Sequence, residues 1–229
     1  MWQHGVPYVV IEGRDYAGKS SVISELVSRL TRPVQVVREP GGTSFGETIR
    51  SIVLEQQTEE TRLSMTEELT LMMAQRSYLH RKVITPALQE GKMIIADRGE
   101  ATTYAYQVNH HNDNSFMSLH DDMDLRTPDI FFYLDVSYDQ YLKRKAGRGV
   151  QHQFHDVMDR KLFEYRGRRY EEYMQRMLSP TKRFVFGPQE NRSSAEIAEI
   201  IIKVIIFVNK IFNDINTKTI TGIKFLIWI

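Results

Sequence analysis

A glycine-rich loop between an apolar run and an amphipathic segment constrains the fold of this chain most strongly. The loop, Gly13-Arg14-Asp15-Tyr16-Ala17-Gly18-Lys19-Ser20, fits the pattern G-x-x-x-x-G-K-[S/T]. It follows the Val- and Ile-rich run Tyr8 to Glu12 and opens a segment, Lys19 to Leu30, with apolar residues on one side. A strand, this loop and a helix in that order predict a phosphate-binding loop (P-loop), whose backbone N–H groups cradle phosphates at a helix N-terminus.

Four further apolar runs predict the rest of a sheet. Runs rich in Val, Ile, Phe and Tyr recur at Val34 to Arg38, Met93 to Asp97, Ile130 to Val136 and Arg183 to Phe186. Longer segments of helical period, such as Thr66 to Gln89, lie between them. Because strands and helices alternate, we expect an α/β fold of the P-loop NTPase type, a three-layer structure in which helices flank a five-stranded parallel sheet.

The chain is expected to form a single domain over residues 1–213. Three charge-rich or irregular regions interrupt the alternation, at His110 to Arg126, Lys143 to His155 and Pro188 to Arg192. Ser193 and Glu196 have capping-box spacing, which predicts a final helix from about Ser194 to about Asn213. The remaining tail, 214–229, has no clear period and no assigned role.

Composition excludes several classes of protein. The chain has 229 residues with 30 Lys and Arg against 29 Asp and Glu, a formal charge of +1, so it lacks the basic excess typical of proteins that bind nucleic acid by charge. It has no cysteine, which excludes disulfides and thiolate metal sites. Neither a secretory signal nor an apolar run of about 20 residues is found. We therefore expect a cytoplasmic protein, in the host cytoplasm if the source is viral.

The P-loop and the third strand predict where phosphoryl transfer would take place. Lys19 is placed to pair with the β and γ phosphate oxygens, and Ser20 offers a hydroxyl to Mg²⁺. Asp97 ends the apolar run Met93 to Asp97, where an acid can act near the metal, and Arg98 follows it at the mouth of the sheet. No N-K-x-D guanine motif is found, which argues against a GTPase.

Two other segments favour a site for anionic ligands. Arg38-Glu39-Pro40-Gly41-Gly42-Thr43 follows the second strand, and its Pro-Gly-Gly turn is either an ordinary turn or a close approach of backbone to ligand. The run from Lys143 to Gly149 has four cations in seven residues. By itself it would be a solvated basic loop, but beside a P-loop it favours a mobile lid, about 143–156, that closes over phosphates.

Several motifs together resemble one family, the thymidylate (dTMP) kinases of the bacterial type with lid arginines. They are Ile11-Glu12-Gly13, Arg38-Glu39-Pro40-Gly41-Gly42-Thr43, Arg50, Ala74-Gln75-Arg76, Ile84-Thr85-Pro86-Ala87-Leu88, Asp97-Arg98, Ala105-Tyr106-Gln107, Pro128-Asp129 and Tyr133-Leu134-Asp135-Val136. The resemblance runs from about Tyr8 to about Phe207. It implies transfer of the γ-phosphoryl of ATP to dTMP, with ATP and Mg²⁺ as cofactors, and a homodimer packed through helices.

The resemblance also implies roles for individual residues. Arg50 and Arg98 would grip the acceptor phosphate, and Arg76 would read the thymine edge. Asp15 resembles the carboxylate near the deoxyribose 3′-hydroxyl, and Tyr106 resembles the ring that disfavours a 2′-hydroxyl. Arg14 precedes the acid and is given no catalytic role.

The predicted site residues fall into four groups. The catalytic group is Lys19, Asp15, Asp97, Arg98, Arg144 and Arg148. The ATP-binding group is Gly13, Arg14, Asp15, Tyr16, Ala17, Gly18, Lys19, Ser20 and Ser21. The dTMP-binding group is Asp15, Arg50, Met72, Arg76, Arg98, Thr102, Thr103, Tyr106 and Gln107. The metal ligands are Ser20 and Asp97.

Two alternatives stay open, and departures from the family pattern carry the first of them. Met72 stands where the family usually has a Phe that stacks on thymine, and Gly99 stands where an aromatic or His usually follows Asp-Arg. Both changes enlarge or soften the base pocket, so the acceptor could be a modified pyrimidine such as 5-hydroxymethyl-dUMP. The second alternative is a P-loop protein that acts on DNA through the basic lid and the stretch Arg166 to Arg169.

Overall fold

A computed structural model describes residues 5–123, 125–147, 158–178, 183–187 and 192–215. Two sequence predictions fall partly outside these residues. The lid is described only as far as Gly147, so Arg148 lies outside the described residues, and so does the tail from residue 216 onward. In the part that is described, no helix is both long and apolar enough to cross a membrane.

The strands form one parallel sheet, which confirms the predicted fold class. They are β1 (Tyr8–Glu12), β2 (Val34–Arg38), β3 (Met93–Asp97), β4 (Ile130–Leu134) and β5 (Arg183–Phe186). Their order across the sheet is β2-β3-β1-β4-β5, and Val10 in the centre pairs with Ala96 on one side and Phe131 on the other. All five residues of β1 and of β4 are buried, as expected for strands covered on both faces.

Helices cover both faces of this sheet. They are α1 (Lys19–Arg29), α2 (Ser44–Leu54), α3 (Met65–Leu79), α4 (Thr85–Gln89), α5 (Glu100–Gln107), α6 (Asp113–Asp122), α7 (Tyr138–Gly147), α8 (Arg160–Met177) and α9 (Ser194–Ile215). One core cluster lies between the sheet and α1 and α9, and a second lies between the sheet and α3, α5 and α8. The predicted capping box is present at α9, where the Glu196 N–H donates to Ser193 Oγ and the carboxylate of Glu196 accepts from the Ser193 N–H.

The segment predicted as one helix over Thr66 to Gln89 contains a π-helical turn, His80–Ile84, between α3 and α4. The Thr85 N–H donates to the His80 carbonyl five residues earlier, one residue further than in an α-helix. Pro86 follows directly, and a proline inside a helix has no N–H and crowds the carbonyl four residues before it. The wider turn accommodates that proline without ending the helical path.

The region His110 to Arg126, predicted to be irregular, contains α6. Its apolar residues are few, but Phe116 is fully buried and packs edge-on against Tyr104 at 5.2 Å between ring centroids. The loop before α6 is held by the Asn112 side chain, which accepts from the Asn109 N–H at 2.8 Å and donates to the Gln107 carbonyl at 2.8 Å. Phe116, together with Met117 and Leu119, packs against the core cluster and so anchors a helix where the sequence shows little helical period.

Candidate active site

The P-loop lies where β1 ends and α1 begins, at the carboxyl edge of the sheet. Gly13 has φ 149°, and a Cβ at this position would overlap the Leu134 carbonyl oxygen of β4, so no larger residue fits here. Tyr16 and Gly18 also have positive φ angles, 62° and 93°. These angles turn the loop back on itself before Lys19, at the N-terminus of α1, and the first N–H groups of a helix lack intrahelical partners and can bind an anion.

The ammonium of Lys19 is held inside the loop. Its Nζ donates to the carbonyls of Gly13 at 2.8 Å and Arg14 at 2.9 Å. Burial and the nearby charge of Arg98 lower the pKa of Lys19 to about 8, although Asp15 and Asp97 act in the opposite direction. Among the described residues the ammonium of Lys19 bonds carbonyl oxygens and no carboxylate, and a bound phosphate would supply the anion.

Ser20 and Asp97 are close enough to act on one ion. Ser20 Oγ donates to Asp97 Oδ2 at 3.2 Å, while Asp97 Oδ1 is buried without a hydrogen-bond partner among the described residues. The Ser20 hydroxyl and the unsatisfied carboxylate oxygen of Asp97 are oxygen ligands of the kind that Mg²⁺ prefers. This ion is usually bound by one or two carboxylates and by substrate phosphates. Within the described residues, no group of three acidic or His side chains offers a complete metal site of its own.

Asp15, Arg98 and Tyr106 form a charged triad beside the P-loop. Arg98 forms an ion pair with Asp15, and Tyr106 Oη donates to the other Asp15 oxygen at 2.7 Å. Burial raises the pKa of Asp15, but the charges of Arg98 and Lys19 and the Tyr106 hydrogen bond outweigh it and leave the pKa below its ordinary value. Asp15 is thus held ionised next to the cations.

Glu12 fixes the residues next to Arg98 by hydrogen bonds, a role that was not predicted from the sequence. Its buried carboxylate accepts from the Gly99 N–H at 2.8 Å, the Thr102 N–H at 3.0 Å and Thr102 Oγ1 at 2.6 Å. Arg98 Nη1 then donates to Thr102 Oγ1 at 3.0 Å and to Tyr170 Oη at 3.3 Å. Gly99 has no side chain to cap α5, so an acid at the end of β1 caps that helix in its place.

All nine predicted dTMP-binding residues line one cleft. They are Asp15, Arg50, Met72, Arg76, Arg98, Thr102, Thr103, Tyr106 and Gln107. Glu39, Pro40, Leu54 and Gly99 complete its walls. Arg98 Nη1 also lies 3.2 Å from the Gly13 carbonyl, so the cleft opens directly onto the P-loop. We refer to it below as the acceptor cleft.

The far end of the acceptor cleft is polar and tightly bonded. Arg76 Nε donates to Glu39 at 2.6 Å and Arg76 Nη2 donates to Thr103 Oγ1 at 2.8 Å, with both charged side chains almost fully buried. Gln107 donates to Glu68 at 3.1 Å. Glu39 belongs to the Pro-Gly-Gly segment but was assigned no role from sequence, and here it fixes the guanidinium of Arg76.

Met72 and Gly99 leave two positions of the cleft wall without an aromatic side chain. Met72 is 4% exposed and packs against Ile49 and Val53, so a flexible thioether chain stands at this wall. A Cβ added to Gly99 would lie 3.4 Å from Val10 Cγ1, an ordinary van der Waals contact. The cleft wall thus has a flexible side chain at position 72 and none at position 99, where a Cβ would fit without a clash.

A second cleft lies on the other side of the P-loop. It is lined by Tyr16, Ala17, Gly18, Ser21, Val22, Arg144, Gly147, Arg192, Ser194 and Ile197. Arg144 of α7 donates to the Tyr16 carbonyl at 2.9 Å, which brings one predicted lid arginine onto the loop. Arg192 and Ser194 were not predicted. They follow β5, and the loops after parallel strands meet at the same edge of the sheet.

Arg14 has its side chain engaged away from both clefts. It forms an ion pair with Asp135, donates to the Val136 carbonyl at 2.8 Å and stacks on Phe163 at 3.8 Å from the ring centroid. Its place in the predicted ATP-binding group thus concerns its backbone alone.

The DNA-binding alternative rests in part on the stretch Arg166 to Arg169, where two of the three arginines are buried or paired. Arg166 is only 7% exposed, and Arg169 pairs with Glu172 and stacks on Tyr104. Arg168 is exposed. A nucleic-acid backbone needs several accessible cations along one face, and this segment presents few of them.

A P-loop at the edge of a parallel sheet, with an arginine-lined cleft on one side and a second cleft on the other, defines a P-loop nucleotide kinase. A family model described as "Thymidylate kinase" matches residues 11–186. The chain belongs to the thymidylate kinase family.

Individual relatives of this chain are thymidylate kinases. The chain is 40% identical over 147 residues to the thymidylate kinase of Chlorobium chlorochromatii, a match that covers 61% of this chain and 64% of that relative. It is 29% identical over 198 residues to the thymidylate kinase of Thermoanaerobacter sp., which covers 80% and 90% of the two chains. The match to the Chlorobium enzyme thus spans somewhat less than two thirds of its length.

Solved structures show the same fold. The thymidylate kinase from Ehrlichia chaffeensis has a TM-score of 0.67 at 23% identity, covering 88% of this chain and 99% of that one. The thymidylate kinase from Candida albicans has a TM-score of 0.68 at 20% identity, covering 90% and 92%. At these identities the likeness concerns the fold.

Proposed function

We propose that this protein transfers the γ-phosphoryl group of ATP to dTMP to form dTDP, a step that supplies precursors for DNA synthesis. The observation that carries the proposal is the acceptor cleft: nine residues chosen from the family pattern converge around it, and Arg98 joins it to the P-loop. Family membership supplies the nucleotide class, and the cleft supplies the arginines that a dianionic acceptor needs.

Catalysis in this proposal rests on positioning and electrostatics. Lys19 and Arg144 would stabilise the donor phosphates, while Arg50 and Arg98 hold the acceptor phosphate against the repulsion between two anions. Ser20 and Asp97 would hold Mg²⁺, which when bound neutralises charge on the phosphate oxygens. Asp15 stays ionised beside Arg98 and accepts a hydrogen bond from a sugar hydroxyl. No covalent intermediate with the protein is needed.

The same proposal includes the assembly and location of the protein. The family resemblance supports a homodimer packed through helices, and light scattering on the purified chain would measure its mass in solution. We also propose a single domain over residues 1–213, a lid at about 143–156 and a cytoplasmic location. Arg148 belongs to the proposed lid and lies outside the described residues.

A coupled assay of ADP release tests the function. The purified chain is given ATP, Mg²⁺ and, separately, dTMP, dUMP, dCMP, 5-hydroxymethyl-dUMP and single-stranded DNA. Stimulation by dTMP is expected. Stimulation by 5-hydroxymethyl-dUMP alone would select the modified-pyrimidine alternative that Met72 and Gly99 keep open, and stimulation by DNA alone would reject both.

The Lys19→Ala variant serves as the control for that assay. It is expected to abolish turnover while dTMP binding survives, because Lys19 contacts the P-loop and does not line the acceptor cleft. Undiminished activity in this variant would contradict the assignment of the P-loop as the donor site.

A further inference from the structure

Arg166 of α8 is a buried cation that forms no ion pair with an acidic side chain among the described residues. It is 7% exposed, and its hydrogen bonding among the described residues is one weak contact from Nη1 to the Met158 sulfur at 3.6 Å. Burying an unpaired charge costs several kcal/mol in general, so such residues are seldom kept for stability alone. Something other than an ion pair must account for this position.

The aromatic ring of Tyr106 is what Arg166 contacts. The guanidinium carbon lies 3.8 Å from the centre of that ring, a close cation–π arrangement. Tyr170 packs edge-on against the same ring at 6.5 Å. Tyr106 is thus held by Arg166 over its face and by Tyr170 at its edge.

Tyr106 in turn forms part of the acceptor cleft. Its ring lines the cleft, and its hydroxyl donates to Asp15 at 2.7 Å. A rotation of the ring would therefore move a wall of the cleft and break the bond to Asp15. Burial, the largest effect, raises the pKa of Asp15. Arg98, Lys19 and the Tyr106 hydrogen bond lower this pKa below its ordinary value, and the positive charge of Arg166 lowers it further by a smaller amount.

We infer that Arg166 is a positioning residue that sets the sugar selectivity of the acceptor cleft by fixing the ring of Tyr106. The inference rests on the proposed function and deepens it, since it concerns how the site separates deoxyribonucleotides from ribonucleotides. A ring held from its face leaves no room for a 2′-hydroxyl beside it, whereas a ring free to tilt makes that room.

Arg169, one turn along the same helix, provides a matched control. Its guanidinium also stacks on a tyrosine, Tyr104, at 4.2 Å from the ring centre. It differs in having an acidic partner, Glu172, and a bond to the Val108 carbonyl at 3.2 Å, and Tyr104 does not line the acceptor cleft. Replacing Arg169 therefore removes a cation–π contact of the same kind from a tyrosine that lies outside the acceptor cleft.

The test compares dTMP with 5-methyl-UMP, which differs from it only in the 2′-hydroxyl. The ratio of kcat/KM for the two nucleotides is measured in the wild type, Arg166→Met and Arg169→Met, each checked for folding by circular dichroism. We expect Arg166→Met to lower the ratio about thirtyfold, the size of a desolvated cation–π contact, and Arg169→Met to leave it unchanged. Arg166→Lys, which keeps the charge and loses the planar guanidinium, is expected to give an intermediate ratio.

The outcomes separate this inference from the function on which it rests. An active wild type whose ratio is the same in Arg166→Met, or falls equally in Arg169→Met, overturns the role of Arg166 and leaves the kinase assignment intact. A wild type inactive on dTMP contradicts the proposed acceptor. The ratio is then measured for the deoxynucleotide that is accepted and its ribonucleotide counterpart, with the same expectation for the three variants.

Discussion

Lys19 shows how a single residue can indicate an anion site. Its ammonium is buried beside Arg98, and its hydrogen bonds among the described residues go to neutral carbonyls, so its pKa falls to about 8. A bound polyphosphate favours the protonated form. Affinity for ADP should therefore be level below about pH 8 and fall above it, approaching about tenfold per pH unit, as isothermal titration calorimetry across this range would measure.

The Lys19→Met variant isolates the contribution of this ammonium. It should bind ADP weakly and without a bend near pH 8. A wild type with no bend there, or a Met variant with the same bend, would show that another group governs the binding of phosphate.

Met72 carries the second prediction at the residue scale. Replacing it with Phe places a flat ring at the wall of the acceptor cleft where the family usually has one, and stacking on a pyrimidine is worth about 1 kcal/mol. We expect Met72→Phe to lower the KM for dTMP about fivefold, measured in the coupled assay.

Leu71→Phe is the control for this substitution. It makes a similar change one residue away on α3, outside the acceptor cleft. An unchanged KM in Met72→Phe, or an equal fall in both variants, would mean that position 72 does not face the base.

At the scale of elements, charged side chains attach helix α6 to helices α5 and α8. His120 Nδ1 lies 2.7 Å from Glu100 of α5, and Arg176 of α8 contacts Asp113 at 2.8 Å. The hydrogen bond to Glu100 is the main cause that raises the pKa of His120, opposed by burial and by Arg76. The contact is therefore strongest when His120 is protonated.

The sign of the resulting pH effect follows from that shift. A His with a raised pKa in the folded state stabilises fully below its unfolded pKa, about 6.5, and the gain is lost as pH rises through the folded pKa. The excess of wild-type Tm over that of His120→Asn should be largest below about pH 6.5 and vanish at alkaline pH. Buried His80, whose pKa is lowered to about 4, acts in the opposite sense in both proteins and cancels in the difference.

His111→Asn controls for the loss of an exposed imidazole near the start of the same helix. It should show no such pH-dependent difference. An excess for His120 that grows with rising pH would contradict the docking role of this contact.

The elements themselves were largely predictable, for reasons that differ between regions. The five apolar runs became the five strands within two residues. A strand buried on both faces must be continuously apolar, which accounts for β1 and β4, while the partly buried edge strand β2 was recognised by its β-branched residues. Helix α6 was missed because Phe116 is its one fully buried side chain and Asn112 arranges the loop before it through side-chain bonds that leave no periodic signal. The π-helical turn was missed because only local geometry around Pro86 requires it.

At the scale of the whole molecule, topology joins segments that are far apart in sequence. The order β2-β3-β1-β4-β5 places the loops after β1, β2 and β3 at one edge, which explains why Asp15, Glu39 and Arg98 meet around the acceptor cleft. Motifs predicted these loops well. The roles of residues that act through other residues emerge only from their contacts: Glu12 belongs to a family motif that does not reveal its role, and Arg166 belongs to none of the motifs.

The central claim is that the γ-phosphoryl group of ATP moves to dTMP on this chain. The most direct measurement follows ATP labelled in its γ-phosphate with the purified wild type and dTMP, and separates the products by chromatography. The account predicts label in dTDP, dependent on dTMP and lost in Lys19→Ala. The account would be contradicted if ATP were consumed and its label appeared only as inorganic phosphate, with no labelled nucleotide product.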